Sequence, residues 1–405
     1  GNPVCGGTTW EGVTCSGTNV VALNKQEAYS LAGVLPPEWT YLTSLTELEF
    51  HSVALSGTLP ADYSVLTNLK KLSIMNSMLG SGTTAEQSPV DGFSLPKEYS
   101  AMASLESFKI VSAYKIKTAF PLEWSALTTM TYLHVGDMEN VSEWTGPLPV
   151  EWSVLSNLKV LNLGKSKVTS TANMNAAGLP DQWSAMSMLE ELLMEDMDIG
   201  GGIPAALSAL SKMKIMSLKT TGITGPLPTW LSTWTLLQDL ILGPGNKLHG
   251  TLPKEISAVT TLKRLHLPGT QGDTAKFTDS IPAEWSNLAP KLEELLLSHN
   301  GITGRLPDEW AALPLMKVLH VDSNQLSSTF PAAWVSTSLQ QLNISSNTLM
   351  CGPLPTTGWD AALDAALQGG ENPVVYGQDP VVYIDARNTN MFSNCPSPPP
   401  PPPPP

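Results

Sequence analysis

Residues 292–307 read LEELLLSHNGITGRLP, and this stretch decides the fold. Leu292, Leu295 and Leu297 fall in the spacing LxxLxL. Side chains alternate along a strand, so Leu295 and Leu297 point to one face while Glu294 and Leu296 point to the other. Gly304 then permits a tight turn, and Pro307 ends any helical continuation before a short helix-like segment brings the chain back. One such unit cannot bury its own leucines; only stacked copies can.

The phrase recurs thirteen times, with hydrophobic-proline steps at Pro36, Pro60, Pro96, Pro121, Pro149, Pro180, Pro204, Pro228, Pro253, Pro282, Pro307, Pro331 and Pro355. Most gaps are 24 or 25 residues. This period predicts a right-handed α/β-type solenoid with short parallel strands on its concave face. Longer gaps contain polar and small residues, as in SGTTAEQSPVDG at 81–92 and TSTANMNAAG at 169–178, and read as loops bulging from single turns. The expected organisation is an N-terminal cap at 1–30, the coil at 31–355, a C-terminal cap at 356–395 and a proline-rich rod or linker at 396–405.

The third residue after each step proline is usually aromatic: Trp39, Tyr63, Tyr99, Trp124, Trp152, Trp183, Trp285, Trp310 and Trp334, with Leu207, Leu231 and Ile256 between them. A ladder of sugar-binding tryptophans would use such a column. Apolar replacement at the same position favours a core filler instead. The glutamates just before several of them, Glu38, Glu123, Glu151, Glu284 and Glu309, recur with the period and read as solvated helix-start charges rather than catalytic acids.

A net charge of −14 disfavours nucleic acid and anionic membranes as partners. No apolar run approaches the roughly 18 residues needed to span a bilayer. A start at Gly1 rather than methionine fits a removed signal peptide or a trimmed chain. The four cysteines flank the coil, Cys5 and Cys15 before it, Cys351 and Cys395 at its far end. Open coils need caps, and pairing Cys5 with Cys15 and Cys351 with Cys395 would staple them, contributing about 3 and 4 kcal/mol in the chain-entropy account. Free thiols or a metal site are the alternatives, and the absence of CxxC spacing speaks against the metal.

WEGVTC at 10–15 resembles the cap that opens plant-type leucine-rich-repeat ectodomains, and SSNTLMCGPLP at 345–355 resembles their last repeat with its cap cysteine. The LPxEW phrase is similar to repeats of protozoan leucine-rich-repeat surface antigens. The asparagine that usually forms a buried ladder stands at Asn300, Asn324 and Asn347, whereas Val53, Ser77, Ala113, Met138 and Met197 hold the equivalent earlier positions. A less regular coil is therefore expected in the N-terminal half. A repeat domain followed by Cys395, Pro396, Ser397 and eight prolines resembles leucine-rich-repeat extensins and other hydroxyproline-rich wall glycoproteins. That resemblance implies hydroxylation and short O-glycans along Pro396, Ser397, Pro398, Pro399, Pro400, Pro401, Pro402, Pro403, Pro404 and Pro405. The eight prolines predict a polyproline II rod about 25 Å long. Asn140 and Asn343 head N-glycosylation sequons, and strand alternation points Asn343 out of the concave face.

The central outward column of the strands runs Glu49, Ser73, Lys109, His134, Asn162, Leu193, Ser217, Ile241, His266, Leu296, His320, Asn343. Leu193, Ile241 and Leu296, beside Val160, Ile215 and Val318, form candidate apolar contacts, with His266 and His320 among them. The histidines lie two strands apart, near 10 Å, too far to share a metal. No phosphate-binding glycine loop and no hydrolase triad is implied, so no enzyme is expected, and no cofactor beyond covalent glycans. The expected function is a scaffolding glycoprotein of cell wall, matrix or surface fibril, acting on copies of itself or other wall glycoproteins. The alternative is a recognition ectodomain or inhibitor whose concave face binds a peptide, polysaccharide or foreign enzyme.

Overall fold

The computed structural model describes residues 5, 10–27, 32–77, 79, 93–113, 116–136, 143–164, 178–274, 276–288, 290–312, 314–331, 339–352, 374–376 and 383–391. The chain divides into two compact units, Gly1–Ile223 and Thr224–Pro405.

The first unit opens with an antiparallel hairpin, Val13–Ser16 against Asn19–Gln26. Parallel strands then follow in chain order: Glu47–His51, Lys71–Met75, Ser107–Val111, Tyr132–Gly136, Val160–Asn162, Glu191–Leu193 and Ile215–Ser217. Their register aligns Leu48, Leu72, Phe108, Leu133, Leu161, Leu192 and Met216 in one inward column. All seven are buried to 1% exposure or less, each contributing about 1.5–3 kcal/mol of apolar burial.

The second unit repeats the scheme with Asp239–Ile241, Arg264–His266, Glu294–Leu296, Val318–His320 and Gln341–Asn343. Leu240, Leu265, Leu295, Leu319 and Leu342 form its inward column. Tyr383–Asp385 extends that sheet in parallel, and Val374–Tyr376 closes it antiparallel.

Between strands the chain returns through 3-10 helices of five or six residues, from Pro37–Tyr41 to Asp308–Ala312. Where the cap is described, the step proline sits at the N-cap in extended conformation, as at Pro121 and Pro149. A segment this short gains more reach from the roughly 2.0 Å rise of a 3-10 turn than from an α-helix at 1.5 Å. No α-helix occurs among the described residues. Small parallel sheets form beside the main one, pairing Ala32–Val34 with Ala54–Ser56 and Lys117–Ala119 with Glu143–Thr145 in the first unit. In the second unit Thr224–Pro226, Lys247–Thr251 and Phe277–Thr278 form one, and Ser327–Ser328, Leu349–Gly352 and Asn390–Met391 another.

The N-terminal turns differ from the expected irregularity. The four strands from Glu47–His51 to Tyr132–Gly136 pair over five residues without a register shift. Val53, Ser77 and Ala113 stand buried where a ladder asparagine would be, and Met138 lies outside the described residues. Backbone pairing there continues two residues further than in the turns that carry asparagine, so the bonds come from strand rather than side chain.

Candidate functional site: the strand face

The outward columns fall where alternation places them. In the first unit Glu49, Ser73, Lys109, His134, Asn162, Leu193 and Ser217 are successive register partners. Val160, Glu191 and Ile215 lie beside them. Leu193, Val160 and Ile215 therefore alternate with Asn162, Glu191 and Ser217 rather than forming a continuous patch. All three apolar side chains are half-buried rather than exposed. Neighbouring strands about 4.8 Å apart let adjacent side chains cover one another, which alternation alone does not reveal.

In the second unit the central column is Ile241, His266, Leu296, His320 and Asn343, and the column beside it is Asp239, Arg264, Glu294, Val318 and Gln341. Ile241, Leu296 and Val318 are again half-buried. Ion pairs and hydrogen bonds between turns hold the polar members. The Arg264 guanidinium grips Asp239 with two bonds, Nε to Oδ1 at 2.7 Å and a terminal nitrogen to Oδ2 at 2.6 Å. His266 Nε2 lies 2.8 Å from Glu294 Oε2. Burial lowers the His266 pKa despite that carboxylate, so at neutral pH the contact is a hydrogen bond from a neutral imidazole. Burial likewise lowers the pKa of His320, against the pull of Asp322. Leu296 stands between the two histidines, in register with both.

Asn343 Oδ1 accepts the N–H of Ser345 at 3.2 Å and its hydroxyl at 2.8 Å, so the sequon is folded upon itself at the last turn. Asn140 lies outside the described residues, as do Cys395 and residues 396–405. Cys5 and Cys15 are bonded, with Cα atoms 5.8 Å apart. Cys351 is disulfide-bonded too.

Behind the face, two ladders tie turn to turn. The aromatic column is core: Trp124, Trp152, Trp183, Trp285 and Trp310 are buried to 2% exposure or less. Their polar atoms nevertheless have a use that the sequence does not signal. The indole N–H of Trp124, Trp152, Trp183 and Trp285 donates to the step proline of the preceding turn, Pro96, Pro121, Pro149 and Pro253, at 2.8–3.0 Å. Tyr63 and Tyr99 donate their phenols to Pro36 and Pro60 in the same way. Burial raises both phenol pKa values and keeps these donors protonated.

The second ladder is asparagine. Asn324 Oδ1 accepts the Ile302 N–H at 3.0 Å, while its Nδ2 donates to Leu297 at 2.9 Å and Val321 at 3.0 Å. Asn300 and Asn347 repeat the pattern. Thr221 and Asn246 join it less visibly: Thr221 donates to Leu218 and Asn246 to Leu242, both buried. A family model described as "Leucine rich repeat" matches residues 281–349, the segment that holds Asn300, Asn324 and Asn347.

Each unit is a leucine-rich-repeat solenoid. Receptor-like protein 18 of Arabidopsis thaliana is 31% identical over 113 residues, covering 28% of this chain and 12% of that protein. The Arabidopsis receptor kinase HAESA, solved with the peptide hormone IDA and the co-receptor SERK1, matches with a TM-score of 0.71 and 22% identity, over 88% of this chain and 54% of that one. The plant peptide hormone receptor RGFR1, solved with RGF2, matches with a TM-score of 0.57 and 18% identity, over 95% and 72% of the two chains. This leucine-rich-repeat chain thus spans about a tenth of the curated relative's length and about half of HAESA.

Proposed function

We propose that the protein is an extracellular recognition module whose strand face binds a protein or peptide ligand. The observation that carries this reading is the face of the second unit. There Ile241, Leu296 and Val318 offer partly exposed apolar surface among polar groups already fixed by the Arg264–Asp239 and His266–Glu294 contacts. A surface whose polar groups are held in place before binding loses little entropy when a ligand orders upon it. The peptide-hormone complexes among the structural neighbours support the same reading over the scaffolding one, and the Cys5–Cys15 staple supports an oxidising, extracellular setting. A glycan on Asn343 would close the last turn to a ligand. No catalysis is assigned.

The test is a selection of random peptides displayed on phage against the whole chain, followed by the Leu296→Asp variant. The reading expects a consensus that binds the wild type and loses affinity about ten-fold or more with Leu296→Asp. A consensus that binds both equally would move recognition off this face.

A further inference from the structure

Beside the 3-10 helices of the first unit, two open cavities of about 630 and 520 Å³ share Leu122 in their linings and so form one furrow. Six successive turns contribute to it, those stepping at Pro60, Pro96, Pro121, Pro149, Pro180 and Pro204. Leu122 and Val150 line it and are 48% and 42% exposed. Both hold the first position after the step proline, on adjacent turns, where the turns on either side carry Lys97 and Asp181. Two bare aliphatic side chains therefore stand next to each other in the middle of the furrow.

Each is followed at once by an exposed acid, Glu123 and Glu151, and Glu98 holds the same place one turn earlier. All three line the furrow, with Asp181 on the turn after them, against the single ammonium of Lys97 among the described residues. None of these four carboxylates has an ion-pair partner among the described residues. Acids beside the strands differ: Glu49, Glu106 and Glu190 are held by Lys71, Lys70 and Lys214 at 2.6–3.0 Å. An aliphatic side chain with an unpaired carboxylate next to it matches the two parts of an arginine or lysine, whose methylene stem covers apolar surface while its head meets the charge.

The spacing of the turns selects the shape of the partner. Trp124 and Trp152, the residues after Glu123 and Glu151, have ring centroids 6.4 Å apart and planes within 11° of parallel, which gives the step of one turn at this flank. An extended chain advances about 6.4–6.8 Å in two residues, so its alternate side chains keep step with the turns. An α-helix, at about 5.4 Å per turn, falls roughly 1 Å behind at each one. We propose that the furrow docks an extended segment of a second protein with arginine or lysine at alternate positions, stems on Leu122 and Val150 and heads at Glu98, Glu123 and Glu151. The second unit presents no equal surface: Glu255 and Glu284 follow Lys254 and Ala283 rather than a large aliphatic residue, and Asp308 is paired with Arg305.

Two fluorescein-labelled peptides test this by anisotropy with the whole chain in about 0.15 M salt, where diffuse attraction is screened. One alternates arginine with serine over five pairs, and its isomer carries the same arginines in one block followed by the serines. Saturable binding of the alternating peptide is expected, with the isomer about five-fold or more weaker. Glu123→Gln combined with Glu151→Gln should weaken the alternating peptide by about five-fold or more. Leu122→Ser combined with Val150→Ser should weaken it too, although the charge is unchanged. Glu255→Gln combined with Glu284→Gln removes as much charge from the second unit and should leave the affinity as it was. Equal affinity for the two isomers, or an equal loss in the two acid variants, reduces the binding to attraction by the overall charge of −14 and overturns the docking site. Absence of saturable binding at millimolar peptide overturns it as well, and the comparison of isomers needs no variant to fold.

Discussion

The indole N–H of Trp152 donates to the carbonyl of Pro121 at 2.9 Å, one turn of the coil earlier. That carbonyl also receives the Trp124 backbone N–H, at a longer 3.3 Å, as the first bond of the 3-10 helix Leu122–Ala126. The start of one return segment is thus tied to the core residue of the next. Repetition of the bond at Trp124, Trp183 and Trp285 makes the step proline an acceptor for its neighbour as well as a helix stop.

Tyrosine allows this tie to be removed without a cavity. Tyr63→Phe deletes the phenol that donates to Pro36 at 2.8 Å and leaves the ring in place. The expected loss is about 1 kcal/mol, read as a lower thermal midpoint and faster hydrogen exchange at Leu66. Long repeat arrays depart from two-state unfolding, so local exchange is the sharper measure. Trp152→Phe should act in the same direction and by more, because it also removes part of a fully buried ring.

Asn324→Ala removes four buried hydrogen bonds, those to Ile302, Leu297, Val321 and Asp322. Leaving a buried amide and three carbonyls without that partner should destabilise the second unit by about 3 kcal/mol or more. Urea unfolding followed by tryptophan fluorescence checks this. Thr221→Val, which deletes the buried bond from the Thr221 hydroxyl to Leu218, should cost about 1 kcal/mol.

Much of this was legible in the sequence, and the limits have physical causes. A two-residue period sets register, so Leu193, Leu296 and His320 could be placed on the outward column from the phrase LxxLxL alone. It does not set depth. Whether Leu296 is exposed depends on how far its neighbours His266, His320 and Glu294 lean over it, which is a property of three turns together. The asparagine ladder was readable at Asn300, Asn324 and Asn347, but Asn246 sits one residue later after Leu242 and Thr221 is a different residue type, so both escape a strict pattern. The indole bonds were invisible because leucine and isoleucine share the column: exchange by apolar residues reports burial and says nothing of an N–H.

Many turns place a non-glycine residue in a left-handed backbone, including Ser52 at φ 54°, Ser112 at 53°, His299 at 57° and Ser323 at 55°. An L-residue there carries about 1–2 kcal/mol of strain, whereas glycine carries none but loses about 0.5–1 kcal/mol in chain entropy. Ser323→Gly should therefore raise the thermal midpoint slightly. Ser323→Val, β-branched at the same φ, should lower it by the equivalent of more than about 1 kcal/mol. Calorimetry of the two variants side by side should give shifts of opposite sign.

His320 and His266 should both contribute to the pH response of the second unit. Burial lowers the His320 pKa below the ordinary 6.5, and the carboxylates of Asp322 and Glu294 and a hydrogen bond to Gln341 only partly offset this. His266, in the same column, is lowered for the same first reason, with Glu294 and Asp239 opposing and Arg264 reinforcing the shift. A base whose folded pKa is depressed leaves the unfolded chain binding more protons between the folded value and 6.5, so stability rises with pH across that window. The contribution is complete above 6.5 and is lost as pH falls through the folded pKa. The thermal midpoint should therefore drop between neutral pH and mild acid, before the ordinary carboxylate range is reached. His320→Gln keeps a polar side chain of similar reach without a titrating proton and should flatten that part of the profile, and adding His266→Gln should flatten it further. Titration of the imidazole signals by NMR gives the folded pKa values directly. Values at or above 6.5 for both rings, with an unchanged slope in the double variant, would assign the acid sensitivity to other groups.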